Sequence, residues 1–308
     1  MSPRDGLQVV NRAAKLSLSE RVILIETLQE AGLPYIEAGA FVSVKRVPAM
    51  ADTADLLARC HPYEGQLAAL VPSEKHYRRF AEATNVDTVA LFVSASEAYS
   101  LKNTRMTVDE ALDAAVGVAR LAIRDGYQVR AHVSAAFRDP AGENMLTSHA
   151  AVERVCARLR SVQAGMVIAL ADTDGSAAPE DVENVLGRLQ QAGDLAGIGV
   201  HLHDRGGRAI EKARAAWHCG VRVFDTSVGG IGGNPTALDN AAGNLATEEL
   251  VAMFEAMGVH TGINWERLID AGAVVTRMTG ATGDPAPPSR SLRDALVKRG
   301  TPGSPPRA

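Results

Sequence analysis

From Pro34 onward, seven short apolar segments punctuate the chain, at residues 35–42, 66–71, 88–94, 128–134, 166–171, 198–203 and 222–227, each followed by a polar stretch of helical spacing. Nearly continuous apolar runs of this length fit strands covered on both faces. Their ends fall roughly 23 to 40 residues apart, room for a strand, a helix and two loops, which is the interval a parallel crossover needs. The pattern predicts a parallel sheet clothed in helices, an α/β fold. Thr107 followed by Glu110 has capping-box spacing, and the Ala-rich run 110–123 behind it predicts a helix.

Two architectures carry such alternation: a TIM (β/α)8 barrel, and an open doubly wound sheet. The chain has no GxGxxG after its first segment and no GxxxxGK[ST], so the nucleotide-binding version lacks its phosphate loop and the barrel is expected. A barrel calls for an eighth strand. It belongs before Arg4, so the chain is expected to lack the first strand, with the true start upstream. Residues 284–288 and 301–308 are rich in Pro, Gly and Ser, a composition that cannot bury enough apolar surface to offset ordering. The expected organisation is one barrel domain over residues 1–279 and a flexible tail over 280–308, with a short helix at 291–298.

Composition narrows the partners. Of 308 residues, 46% are hydrophobic and 22% charged, and 32 Lys+Arg stand against 36 Asp+Glu for a formal charge of −4. With the signs interspersed, neither a nucleic-acid surface nor a basic membrane face is expected. Cys60, Cys156 and Cys219 are odd in number and far apart, which is neither a disulfide framework nor a zinc cluster. The N-terminus has no signal-peptide core and no apolar run approaches the roughly 18 residues that span a bilayer, so a cytoplasmic location is expected.

The sharpest chemical signal is His201-Leu202-His203-Asp204. Residues two apart on a strand share a face, so both imidazoles are expected in the barrel mouth, where a divalent cation suits them, while Leu202 and Asp204 turn away. Asp204 reads as a helix cap. Asp5 and Asn244 are candidates for further ligands; alone, Asp5 reads equally as a turn residue beside Gly6, and Asn244 as a loop or capping residue. Glu37 interrupts an apolar segment and needs a partner, Arg4 being the obvious one. That pair either closes the barrel or serves catalysis, and the two are compatible. Asp172 is the other acid at a strand end. Gly229 to Gly233 hold four glycines without a following Lys-Ser/Thr, which suits a lid better than a nucleotide loop.

Taken together, SPRDGLQ (2–8), EAGLPYIEAGAFVS (30–43), VPAMADT (47–53), SASEAYSLKN (94–103), HLHD (201–204), VFDTSVGGIGGNP (223–235) and GNLATEEL (243–250) resemble the hydroxymethylglutaryl-CoA lyase family of metal-dependent lyase and synthase barrels, in family order from residue 2 to about 275. The resemblance implies a TIM barrel whose cation, Mg²⁺ or Mn²⁺, is held by Asp5, His201, His203 and Asn244. It also implies that Arg4 stabilises an enolate, Glu37 positions the site, His201 relays a proton and Asp172 is a further active-site acid. The implied substrate is an acyl-CoA, a 3-hydroxy-3-methylglutaryl thioester cleaved to acetyl-CoA and a 3-oxo acid, and family members are commonly homodimers.

The chain departs from that pattern at the acyl end. Asn234 stands where the family's glycine-rich loop has the cysteine taken to reprotonate the acetyl carbanion, and an amide has no such proton. His132 replaces a tyrosine, Ala40 and Ala169 replace serines, Val9-Val10-Asn11 replaces Asn-Glu-Lys, and the loop from Asn234 to Asn244 runs one residue longer. Three readings therefore stand: a lyase with altered acyl specificity, an aldolase or condensing enzyme on another thioester or 2-oxo acid, and a degenerate, non-catalytic barrel.

Overall fold

The computed structural model describes residues 1–8, 17–142, 145–233 and 242–280. Val9, Val10, Asn11, Asn234, the tail beyond residue 280 and the helix expected at 291–298 lie outside the described residues.

All seven apolar segments are strands of one parallel sheet. In chain order they are β1 (Tyr35–Ala40), β2 (Gln66–Leu70), β3 (Thr88–Ser94), β4 (Gln128–Ser134), β7 (Val167–Asp172), β8 (Ile198–Leu202) and β9 (Val223–Asp225). A two-residue hairpin, β5 (Arg138–Asp139) with β6 (Met145–Leu146), is inserted after β4. Each sheet strand pairs with the next in sequence, from β1 to β9. The helices, in chain order, are α1 (Leu18–Glu30) before β1, then α2 (Thr53–Arg59), α3 (Glu74–Ala81), α4 (Glu97–Thr104), α5 (Val108–Arg124), α6 (His149–Arg160), α7 (Pro179–Gln191) and α8 (Ala209–His218) between strands, and α9 (Thr247–Ala256) and α10 (Trp265–Gly280) after β9. The capping box is formed: Glu110 N donates to Thr107 Oγ1 (3.2 Å) and Thr107 N to Glu110 Oε2 (2.8 Å).

The sheet curls into a TIM barrel, since His132 on β4 meets Glu37 on β1 as well as Asp225 on β9. Between β1 and β9 lies a tight helical turn, Ser2–Gly6, entirely buried. Met1 N donates to Thr226 O (2.9 Å) and Val228 N to Ser2 Oγ (2.7 Å), which ties the turn to the end of β9. Arg4 and Asp5 are thereby carried to the carboxyl ends of the strands.

β1 is irregular where it matters. Its register with β2 slips between Glu37 and Gly39, leaving Ala38 as the extra residue. Such a bulge re-aims side chains, and here the inward positions pass from Tyr35 and Glu37 to Ala40 and Val42, both of which line the central cavity. Gly39 sits at that bulge because Thr53 packs on it: a Cβ there would come 2.6 Å from the threonine methyl. No helix among the described residues is long and apolar enough to cross a membrane.

Candidate metal centre and active site

The strands' carboxyl ends open on a cavity of about 890 Å³. Arg4, Asp5, His132, His201 and His203 form its polar end, Ala40, Val42, Leu70 and Phe92 an apolar wall, and Lys45, Arg46, Lys102 and Arg105 a cationic mouth. None of those four cations makes an ion pair among the described residues.

β8 places the histidines as its alternation dictates. Leu202 is buried in the core between them, while His201 and His203 face the cavity with their Nε2 atoms 3.3 Å apart. His203 Nδ1 lies 2.9 Å from the Ala242 carbonyl oxygen, and His201 Nδ1 lies 3.3 Å from Asp225 Oδ2. An oxygen acceptor at each Nδ1 calls for the Nδ1–H tautomer, which leaves both Nε2 atoms as lone pairs pointed at one spot. Burial, with His201 second, lowers the pKa of His203 and keeps its ring neutral.

Asp5 completes the spot. One carboxylate oxygen and one ring nitrogen from each histidine lie within 4.8 Å of one another. Burial pushes the Asp5 pKa up, but the Arg4 guanidinium, together with the Asn244 amide that donates to the carboxylate, outweighs it, so the group is held ionised. Asn244 Nδ2 donates to Asp5 Oδ2 (2.7 Å) and to the Ile231 carbonyl (3.0 Å), which brings the fourth expected residue to the same place. Gly232 makes the approach feasible: a Cβ there would lie 2.1 Å from Asn244 Nδ2, and its φ of +128° suits glycine. Two converging imidazole lone pairs beside a buried carboxylate repel one another unless a cation sits among them, so this donor set fits a divalent metal ion.

Behind the spot runs an ionic chain that the sequence reading only partly foresaw. Arg4 Nε donates to Glu37 Oε1, and Arg4 Nη1 to Asp5 Oδ1 (2.6 Å). The expected Arg4–Glu37 pair is therefore present, and it clamps the N-terminal turn to β1. Gln8 Nε2 also donates to Asp5 Oδ1 (2.8 Å). Glu37 Oε2 accepts from Tyr35 Oη (3.2 Å) and lies 2.9 Å from His132 Nε2. The other nitrogen of His132 is 3.5 Å from Asp225 Oδ2, and Asp225 is paired with Arg130, whose guanidinium stacks on the Tyr35 ring at 4.3 Å. Burial raises the Glu37 pKa, yet Arg4 and His132 hold it far below the ordinary carboxylate range; Asp225 is likewise depressed, burial being outweighed by Arg130 and His201.

Arg130, Asp225 and Tyr35 were not singled out from the sequence. A usable signal existed, because Arg130 and Asp225 are opposite charges within apolar strand segments, and two buried charges imply a pair.

The remaining residues fall elsewhere. Asp172 does not line the cavity: its carboxylate accepts from Lys212 Nζ and from Ala177 N (3.1 Å). Asp204 Oδ1 accepts from Ala209 N, the first residue of α8 (2.8 Å), from across an intervening turn, so it satisfies one N–H at the helix start while Arg208, and not Asp204 as expected, occupies the N-cap position. Gly229 N donates to the buried Glu248 carboxylate (3.1 Å), anchoring the start of the glycine-rich loop. Cys60 and Cys156 are buried away from the cavity, and Cys219 ends α8 ahead of β9, at the opposite end of the barrel.

The decisive comparison is with a family model described as HMGL-like, which matches residues 1–275. The chain belongs to the HMGL-like family. It is 37% identical over 276 residues to the mitochondrial hydroxymethylglutaryl-CoA lyase of Bos taurus, spanning 89% of this chain and 83% of that protein. The crystal structure of the HMG-CoA lyase from Brucella melitensis superimposes with a TM-score of 0.85 at 34% identity, covering 91% of this HMGL-like chain and 97% of the other. An HMG-CoA lyase from Acinetobacter baumannii, in complex with coenzyme A and 3-methylmalate, superimposes with a TM-score of 0.86 at 29% identity, covering 99% and 96%.

Proposed function

We propose that this chain is a divalent-metal-dependent carbon–carbon lyase of the hydroxymethylglutaryl-CoA lyase type, acting on a 3-hydroxy-3-methylglutaryl-type thioester whose acyl group differs from that of its relatives. The observation that carries the reading is the convergence of Asp5, His201, His203 and Asn244 beside the Arg4–Glu37 pair. Asp5, His201, His203 and Asn244 would hold the cation, Mg²⁺ or Mn²⁺, which when bound lowers the pKa of a substrate hydroxyl and so favours its ionisation.

The chain's own groups account for the rest. Cleavage beside a tertiary alcohol leaves an electron pair on the acetyl thioester fragment. Arg4, fixed on two sides by Glu37 and Asp5, presents a guanidinium whose charge stabilises the enolate oxygen as the bond breaks. Glu37 has no role at the substrate in this scheme; its place is to hold Arg4 and His132. His201 serves here as a cation ligand whose ring Asp225 fixes through Nδ1–H, and not as the relay the resemblance implies; water in the cavity takes the hydroxyl proton and returns one to the carbon of the acetyl enolate. The cations Lys45, Arg46, Lys102 and Arg105 at the mouth, without an ion pair among the described residues, suit the phosphates of a coenzyme A thioester. The same reading includes a cytoplasmic enzyme, favoured by three unpaired cysteines, and a homodimer by analogy with the family.

Changed acyl specificity rests on Ala40 and His132, which both line the cavity in place of a hydroxyl-bearing serine and tyrosine. These same residues favour a second reading, a condensing enzyme or aldolase running similar chemistry on another thioester or 2-oxo acid. A screen of 3-hydroxyacyl-CoA thioesters and 2-oxo acids with Mg²⁺ or Mn²⁺ separates the two. The proposal expects faster cleavage of a 3-hydroxy-3-alkylglutaryl analogue than of 3-hydroxy-3-methylglutaryl-CoA. Condensation without cleavage supports the second reading, and cleavage of the methylglutaryl thioester at ordinary enzyme rates refutes the altered specificity.

A further inference from the structure

Behind the metal-binding strand lies a lysine that the proposed chemistry does not use. Lys212, on α8, has no solvent exposure. Its ammonium donates to Asp172 Oδ2 at the end of β7, to the carbonyl oxygen of His203 (2.8 Å) and to the carbonyl oxygen of Gly175 (3.2 Å). Three donors meet three acceptors, so the group is fully satisfied. The other Asp172 oxygen accepts from Ala177 N, which pins the loop after β7 to the same node. Gly175 is pressed against that node, since a Cβ on it would come 3.1 Å from the His203 carbonyl.

Burying an ion pair is a poor route to stability, because well-packed apolar residues of the same volume serve as well or better. What an apolar side chain does not supply is a hydrogen-bond donor to His203 O. That carbonyl belongs to a residue whose imidazole is held at its Nδ1 by Ala242 and whose Nε2 faces the proposed cation site. We propose that Lys212 is a positioning residue for the metal centre: with Asp172 it fixes the backbone of His203, and thereby the spacing of the two imidazoles that share the cation. Asp172, turned from the cavity, works through Lys212. The proposal rests on His201 and His203 being ligands.

The test uses the full chain and Mn²⁺ alone, with binding measured by calorimetry and by the loss of the free-ion paramagnetic resonance signal. Lys212→Met keeps the stem and removes the donors. Asp172→Asn is nearly isosteric and leaves the lysine in place, which provides a folded variant should Lys212→Met fail to fold. Melting of each metal-free protein reports structure separately. The expected result is Mn²⁺ affinity weakened about 10- to 100-fold in folded protein, with kcat at saturating Mn²⁺ reduced more than thioester KM is raised. Lys212→Gln, which restores an N–H donor toward His203 without the charge, is expected to recover part of the affinity. Unchanged Mn²⁺ affinity in a folded variant, with only the melting temperature lowered, overturns the role of Lys212. Failure of the wild-type chain to bind Mn²⁺ overturns the ligand reading instead.

Discussion

The Nε2 atoms of His201 and His203 face each other at 3.3 Å, each ring being held from behind through its Nδ1. Neither lone pair has a proton to offer the other, and Asp5 adds a negative charge within 4.8 Å. Replacing one imidazole takes away a ligand and leaves the arrangement otherwise standing. His203→Ala is expected to abolish stoichiometric Mn²⁺ binding and to cut turnover by about 10³-fold or more, the several kcal/mol that a metal contributes to charge stabilisation. Calorimetry with Mn²⁺ alongside a turnover assay checks this, and full activity in the variant contradicts it. Chelation of the wild-type protein is expected to have the same effect, reversed by adding Mg²⁺ or Mn²⁺.

Arg4 is expected to act on the barrier more than on binding. Charge on the enolate oxygen exists only as the bond breaks, so Arg4→Met is expected to lower kcat by about 10²- to 10³-fold with little change in KM. The change also leaves Glu37 buried without its guanidinium, costing about 3 to 5 kcal/mol of stability. Steady-state kinetics on the folded fraction, paired with thermal melting, separates the two effects. An unaltered kcat rules out the enolate role.

The buried carboxylates give stability a defined pH dependence. Glu37 and Asp225 have pKa values below their ordinary 4.5 and 3.8, because neighbouring cations outweigh burial. The folded state therefore binds fewer protons than the unfolded chain, and stability rises with pH. Their contribution is complete above those ordinary values and is lost progressively as pH falls below them toward the depressed folded-state values. The metal-free protein is expected to begin losing stability near pH 6.5, where the unfolded chain protonates His203 and the fold resists it, and to melt at lower temperatures still from about pH 4.5 to 3, where Glu37 and Asp225 contribute. Glu37→Gln is expected to flatten the lower-pH slope; an equal slope in the variant assigns the effect elsewhere.

No cysteine among the described residues lines the cavity. Burial pushes the thiol of Cys60 up to about 11 and that of Cys156 up to about 12, while Cys219 is half-exposed. Thiols protonated this strongly are poor nucleophiles. Iodoacetamide at pH 8 is expected to modify Cys219 first, seen by peptide mass spectrometry, with turnover unchanged. Loss of activity in step with a single alkylation would assign a catalytic thiol to this chain.

Much of this arrangement was legible because simple periodicities governed it. Each apolar segment became a strand, though β1 ends at Ala40 and β9 at Asp225, short of the sequence pattern. In both places another demand takes over: the bulge at Ala38 re-aims β1, and Thr226 turns its carbonyl to the N-terminal turn. The two-residue repeat placed His201 and His203 on one face without outside help. The buried ionic chain was less legible because barrel interiors are ordinarily apolar, and no local spacing in the sequence pairs Arg130 with Asp225, 95 residues apart. Lys212 was hidden differently. Ala209, Lys212, Ala213 and Ala216 fall at helical spacing on one buried face of α8, and a lysine on such a stripe signals a buried acceptor that only the fold identifies as His203 and Asp172.

The central claim is that His201 and His203 bind one cation directly. Electron spin-echo modulation of the Mn²⁺-loaded protein reports nitrogen bound to the ion. Modulation from two coordinated imidazole nitrogens in the wild type is the predicted result. Bound Mn²⁺ with no directly coordinated imidazole nitrogen would contradict it.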